Sequence, residues 1–159
     1  MRKAQSRAVI DHLVFGCEQL ETGTAYLERV IGKDFVVGGK HDLMTTHNKL
    51  LRLQGSVYLE SIAIDFKAAK AKGDIGRKRW FSLDDTRTRQ KLAIAPYPLT
   101  WVVAVDNVDE AIRVGESIAL FSAHRRIGRR VGFVFLQLPL AIAIATGGGM
   151  VDQSSEEDG

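Results

Sequence analysis

The chain has 159 residues, 22 Lys and Arg against 19 Asp and Glu, and a formal net charge of +3, so it is long enough for one domain or two tightly packed half-domains. Hydrophobic residues make up 45% and charged residues 26%, ordinary values that exclude a fibrous or disordered chain. The single cysteine, Cys17, excludes an internal disulfide and a cysteine-based zinc site, and it fits a reducing, cytoplasmic compartment.

Residues 1–8 read as an N-terminal extension: Arg2 and Lys3 are basic, but no apolar stretch follows as in a signal peptide. Residues 9–16, rich in β-branched and aromatic types, predict a strand. Residues 18–31 place Leu20, Tyr26, Leu27, Val30 and Ile31 at helical spacing, with Thr22 or Thr24 as cap and Gly32 as stop. Residues 35–37 predict a short strand that ends in Gly38 and Gly39, where the backbone can take unusual angles. Residues 48–53 and 56–64 predict two more strands, with Gln54 and Gly55 suited to the turn between them. Residues 9–64 thus read as one βαβββ module.

Residues 65–98 read as a connector with a helical turn or two over 67–72 and a short helix over 84–93, capped by Asp84 or Asp85 and turning Leu92 inward. Residues 99–105 predict a strand, 106–107 a turn and 108–118 a helix, an echo of the opening elements in which Trp101 falls near the place of His12. Residues 131–138 and 140–145 predict strands in an irregular second module over 99–151, and 152–159 an acidic, disordered tail. Gly132, Gln137 and Pro139 interrupt the most apolar run, which falls short of the ~20 residues a spanning helix needs, so no membrane partner is expected. Basic clusters at residues 67–79 and 125–130 lack a nucleic-acid motif and interleaved aromatics, so no nucleic acid is expected as partner either.

Two predicted strands each place an ionisable group among apolar neighbours: His12 on the first and Glu60 on the fourth. A buried charge is costly unless it is paired, hydrogen-bonded or bound to a metal. Brought together, these strands would put an imidazole and a carboxylate in one cavity. His12 reads as metal ligand or general base, or else as a core histidine bonded to backbone. Glu60 reads as ligand or base, as a salt-bridge partner of Arg52, or as a partner of His12. His41 follows the glycine pair and can be delivered to a cavity rim, while Asn48 can fix a substrate carbonyl or carboxylate; the alternative for this stretch, with Thr46 and His47, is turn chemistry. A trio of His12, His41 and His47 with Glu60 is a further metal arrangement. Trp80 and Trp101 read as core aromatics or as pocket lining. Serine-nucleophile, Walker and Rossmann patterns are absent from the sequence.

The segments Ile10-Asp11-His12-Leu13-Val14, Gly38-Gly39-Lys40-His41, Thr46-His47-Asn48-Lys49-Leu50-Leu51 and Tyr58-Leu59-Glu60 resemble the glyoxalase-like domain subgroup of the vicinal oxygen chelate superfamily. Arg79-Trp80-Phe81-Ser82-Leu83-Asp84 and Leu99-Thr100-Trp101-Val102-Val103 are similar to it too, so the resemblance covers residues 9–118. It implies an α+β fold of paired βαβββ modules around one cavity, the second module degenerate. It implies a small-molecule ligand, with His12 and Glu60 at the first module's two metal positions; with it, His12 and Glu60 are expected as catalytic pair, and the residue reading adds His41, His47, Asn48, Arg52 and Trp101 as expected substrate-binding residues. One divalent ion (zinc, nickel, manganese or iron) would suit an imidazole and a carboxylate, with lyase, isomerase or dioxygenase chemistry. Trp101 departs from the pattern, because indole cannot ligate a metal. This favours the alternative, a metal-free ligand-binding protein of the bleomycin-resistance type. Residues 122–159 depart further. An incomplete second module leaves an open strand edge, so a homodimer is expected.

Overall fold

A computed structural model describes residues 8–107, 109–111, 113, 126–127 and 132–136. Its elements in chain order are β1 (Ala8–Gly16), α1 (Leu20–Ile31), β2 (Val36–His41), β3 (Thr46–Arg52), β4 (Tyr58–Ile64), α2 (Phe66–Lys72), a 3-10 turn (Trp80–Ser82), α3 (Thr86–Leu92), β5 (Tyr97–Val105), β6 (Arg126–Ile127) and β7 (Gly132–Leu136). The strands form one seven-stranded sheet in the order β2-β3-β4-β1-β5-β7-β6. The mixed α+β architecture expected from the sequence is present. The chain leaves β1 through α1, returns by the β2-β3-β4 meander, and lays β4 parallel to β1. β5 then pairs antiparallel with the free side of β1.

Strand alternation divides the sheet into two apolar faces. On one, Leu51, Leu59 and Ala63 pack with Leu20 and Leu27 of α1, with Cys17 and Phe35, and against Leu13 and Phe15. On the other, Val14, Ile62, Ile64 and Val102 pack against Leu83 and Leu92, which the connector brings down onto the sheet. The connector is therefore the second layer, and it walls one end of the site.

Local chemistry accounts for several helix ends. Gly32 stops α1 in the left-handed conformation at φ 73°, donating to the Glu28 carbonyl. Asp65 caps α2 by accepting from the backbone of Lys67 and Ala68, and Asp85, rather than Asp84, caps α3. Asp84 instead accepts from Arg79. The start of α1 differs from expectation. Gln19 is its cap position and makes no side-chain cap bond; Thr24 lies inside the helix, fully buried, with its hydroxyl 2.7 Å from that of Ser61 on β4.

Another difference concerns the glycine pair. β2 does not end at Gly38 but runs through it, with a register shift between Val37 and Lys40. Neither Gly38 nor Gly39 has a positive φ. Gly38 is required for space: a Cβ there would lie 2.1 Å from the Asn48 Oδ1.

The second half repeats a strand and a turn into helical residues 109–111, where Asn107 Oδ1 accepts from the Glu110 backbone. It then departs from the first half, because β7 runs antiparallel to β5 where β4 runs parallel to β1. The strand expected over 140–145, the tail over 152–159 and most of the helix over 108–118 lie outside the described residues. Among the described residues no helix is long and apolar enough to cross a membrane.

Candidate functional site

A cavity of about 180 Å³ opens on the connector side of the sheet. Asp11 and His12 reach it from β1, Asn48 and Leu50 from β3, Tyr58 and Glu60 from β4, and Val102 from β5. His41 of β2 and Trp80 and Phe81 of the 3-10 turn complete the described lining. The aromatic turn is held in an unusual shape, with Phe81 at φ 57° and Ser82 at φ 54°, a region costly for side chains other than glycine.

The polar groups form a continuous chain. His12 Nδ1 lies 2.7 Å from Asp11 Oδ2, and His12 Nε2 lies 3.4 Å from Glu60 Oε2. Asn48 Nδ2 donates to the other carboxylate oxygen, Glu60 Oε1. Asn48 Oδ1 accepts from the Gly39 N–H at 2.6 Å, which fixes which way the amide faces. Tyr58 stacks on the His12 ring, with centroids 4.5 Å apart and planes at 15°. His12, Asn48 and Glu60 are all buried. Register explains the convergence: on adjacent parallel strands His12 is paired with Tyr58 and Val14 with Glu60, so His12 and Glu60 share one face two residues apart.

The chemistry of this chain is specific. When the imidazole is neutral and its Nδ1–H faces Asp11, the Nε2 lone pair faces a carboxylate oxygen. Two acceptors face one another, so a positive species belongs between them: a proton or a cation.

The structure separates the sequence-predicted residues into two groups. His12, Glu60, Asn48 and His41 line the cavity; His41 Nδ1 lies 3.0 Å from Thr46 Oγ1, and its ring meets Trp80 edge-on at 5.2 Å. His47, Arg52 and Trp101 are not in the described lining. His47 precedes Asn48 on the strand and so takes the opposite face. Burial lowers its imidazole below the usual range, opposed by the Asp65 carboxylate. The trio of His12, His41 and His47 is thereby ruled out. Arg52 donates to the Gly55 carbonyl rather than pairing with Glu60.

Trp101 is opposite Leu13, which packs beneath α1, whereas Val102 is opposite His12. The cavity-facing counterpart of His12 is therefore Val102, not Trp101, since a one-residue offset reverses a strand's faces. Sequence reasoning also missed Asp11 as a site residue. Alternation predicts that it faces away from His12, but a register shift between Ile10 and His12 leaves it as an extra residue on β1. The adjacent acid and imidazole of Asp11-His12 were the signal available in the sequence.

Among the described residues, no three His, Cys, Asp or Glu side chains are grouped to hold a metal ion. The pair His12 and Glu60 nevertheless fits part of such a centre. Their 3.4 Å separation suits two ligands of one ion at about 2.0–2.2 Å each. Each is also held from behind, His12 by Asp11 and Glu60 by Asn48, as ligating groups commonly are. Val102 adds no donor from β5.

A profile of the Glyoxalase-like domain family matches residues 10–142. Among solved structures, the chain is similar to methylmalonyl-CoA epimerase from Mycobacterium tuberculosis, at 16% identity, covering 79% of this chain and 77% of that one with a TM-score of 0.45. No curated protein matches.

Proposed function

This chain belongs to the glyoxalase-like domain family, within the vicinal oxygen chelate superfamily, and on that premise we propose that its cavity binds a small molecule with adjacent oxygen atoms and moves a proton on it. The observation that carries the reading is the facing pair His12 Nε2 and Glu60 Oε2, 3.4 Å apart in the cavity. Glu60 is the general base, and in the site without an ion His12 shares or returns the proton across the same gap. Asn48 holds the Glu60 carboxylate by one oxygen and leaves the other toward the ligand. His41, Leu50 and Trp80 supply the walls. A divalent ion (zinc, nickel, manganese or iron) would be held by His12 and Glu60, and when bound it would polarise the ligand's oxygens. Proton-transfer chemistry of the isomerase or lyase kind suits these groups better than dioxygenase chemistry. The cavity's volume of about 180 Å³ is below the roughly 300–1,000 Å³ of sites for drug-sized ligands, so the ligand is small.

A second reading, a metal-free binding protein of the bleomycin-resistance type, is favoured by Val102, an apolar side chain where the second half could have offered a ligand. Elemental analysis of protein purified without chelators separates the two. The first reading expects about one divalent ion per chain, lost in His12→Ala and Glu60→Gln. A metal-free protein whose Trp80 fluorescence is quenched by small diols or dicarbonyls supports the second; Trp101, on the far face, should not respond. We further propose a cytoplasmic homodimer. The free, buried Cys17 suits a reducing compartment, and the exposed Val36 and Val37 on the edge strand β2 need cover. A monomer at micromolar concentration in sedimentation analysis would overturn the dimer.

A further inference from the structure

We propose that Asp11 is a positioning residue, placed by a β-bulge to fix the proton of His12 on Nδ1 and so keep Nε2 free to work at the cavity. The inference rests on the functional reading above and adds to it a residue on which the pair depends. On a regular strand Asp11 would point to the face opposite His12. Between Ile10, paired with Val103, and His12, paired with Val102, it is the extra residue of β1. The bulge turns its carboxylate back to the cavity side, where Oδ2 meets His12 Nδ1 at 2.7 Å.

Without Asp11, the carboxylate facing the ring would be Glu60, and an imidazole places its N–H toward an available acceptor. The proton would then settle on Nε2 and bond Glu60 Oε2, closing the gap that the ligand or cation needs. Tyr58, stacked flat on the ring, limits tilting but does not choose between the nitrogens. Asp11 therefore decides the tautomer, and the stack and the Glu60–Asn48 bond decide the aim.

The test is a ¹⁵N spectrum of the His12 ring in metal-free protein at about pH 9, above the ordinary imidazole range, assigned by comparison with His12→Ala. The wild-type ring is expected to carry its proton on Nδ1. In Asp11→Ala the Nε2–H form should predominate, and Asp11→Asn, which keeps the shape, should give a mixture. In a Zn²⁺ titration by calorimetry, both variants should bind about 10–100-fold more weakly than wild type. An unchanged tautomer in a folded Asp11→Ala or Asp11→Asn protein overturns the proposal, even if Zn²⁺ binds. A switched tautomer in a wild-type background that binds no Zn²⁺ upholds the role of Asp11 while removing the metal from the functional reading.

Discussion

Asn48 shows how a single buried side chain can hold a site in place. Its amide is used at both ends, toward Glu60 and toward Gly39, so it is committed to the carboxylate rather than left for a substrate carbonyl. Asn48→Ala should cost about 1–3 kcal/mol, because it strands a buried carboxylate oxygen and a backbone N–H. Urea unfolding measures the cost, and an unchanged midpoint would show that water replaces the amide. His47 gives a pH prediction. Burial depresses its imidazole in the folded state, so the unfolded chain binds the proton more readily. Stability should therefore be full above the ordinary histidine range near pH 6.5 and decline as pH falls below it. His47→Gln should flatten the dependence of the urea midpoint on pH across that window. His12, Glu60, His41 and Asn48 could be found as cavity residues from the sequence because His12 and Glu60 are ionisable groups among apolar neighbours and His41 and Asn48 follow a glycine pair. His47, Arg52 and Trp101 could not be excluded from it, because face and register are not local properties.

At the scale of elements, the stop at Gly32 and a cap at Asp84 or Asp85 were legible, whereas the start of α1, the Asp65 cap and the bulges were not. Asp65, Asp85 and Gly32 act through their own chemistry within three or four residues. Asp65→Ala should cost about 1 kcal/mol from the loss of its two cap bonds. The bonds to Ala68 and Lys67 hold the Asp65 carboxyl below its usual range. Its contribution is therefore present above about pH 4 and disappears as pH falls through the folded-state value. The bulges at Asp11 and at the Gly38-Gly39 pair depend on what β5 and β3 do opposite them. Gly38 and Gly39 separate two explanations for a glycine pair. Gly38→Ala should destabilise by about 1–3 kcal/mol, because the new methyl meets the Asn48 amide. Gly39→Ala, with nothing within 4 Å of its Cβ, should be close to neutral. Equal thermal shifts for the two variants would contradict the close-approach account.

At the scale of the whole molecule, the site exists because a sheet is covered on two faces by unlike layers: α1 on one and the connector on the other. Leu83 is the connector's anchor, with no exposed surface. Leu83→Ala should cost about 2–5 kcal/mol in global unfolding, and it should loosen the Trp80–Phe81 wall, seen as a change in tryptophan emission before the main transition. The sequence by itself determined the family, the strands that carry His12 and Glu60, and the stop of α1 at Gly32, because these follow from motifs, short-range alternation and local capping. Only the tertiary structure decided that Asp11 joins the site, that Val102 rather than Trp101 faces it, and that the connector closes over it. Each of these depends on the register between strands distant in the chain, and a shift of one residue there exchanges cavity for core without any change in local propensity.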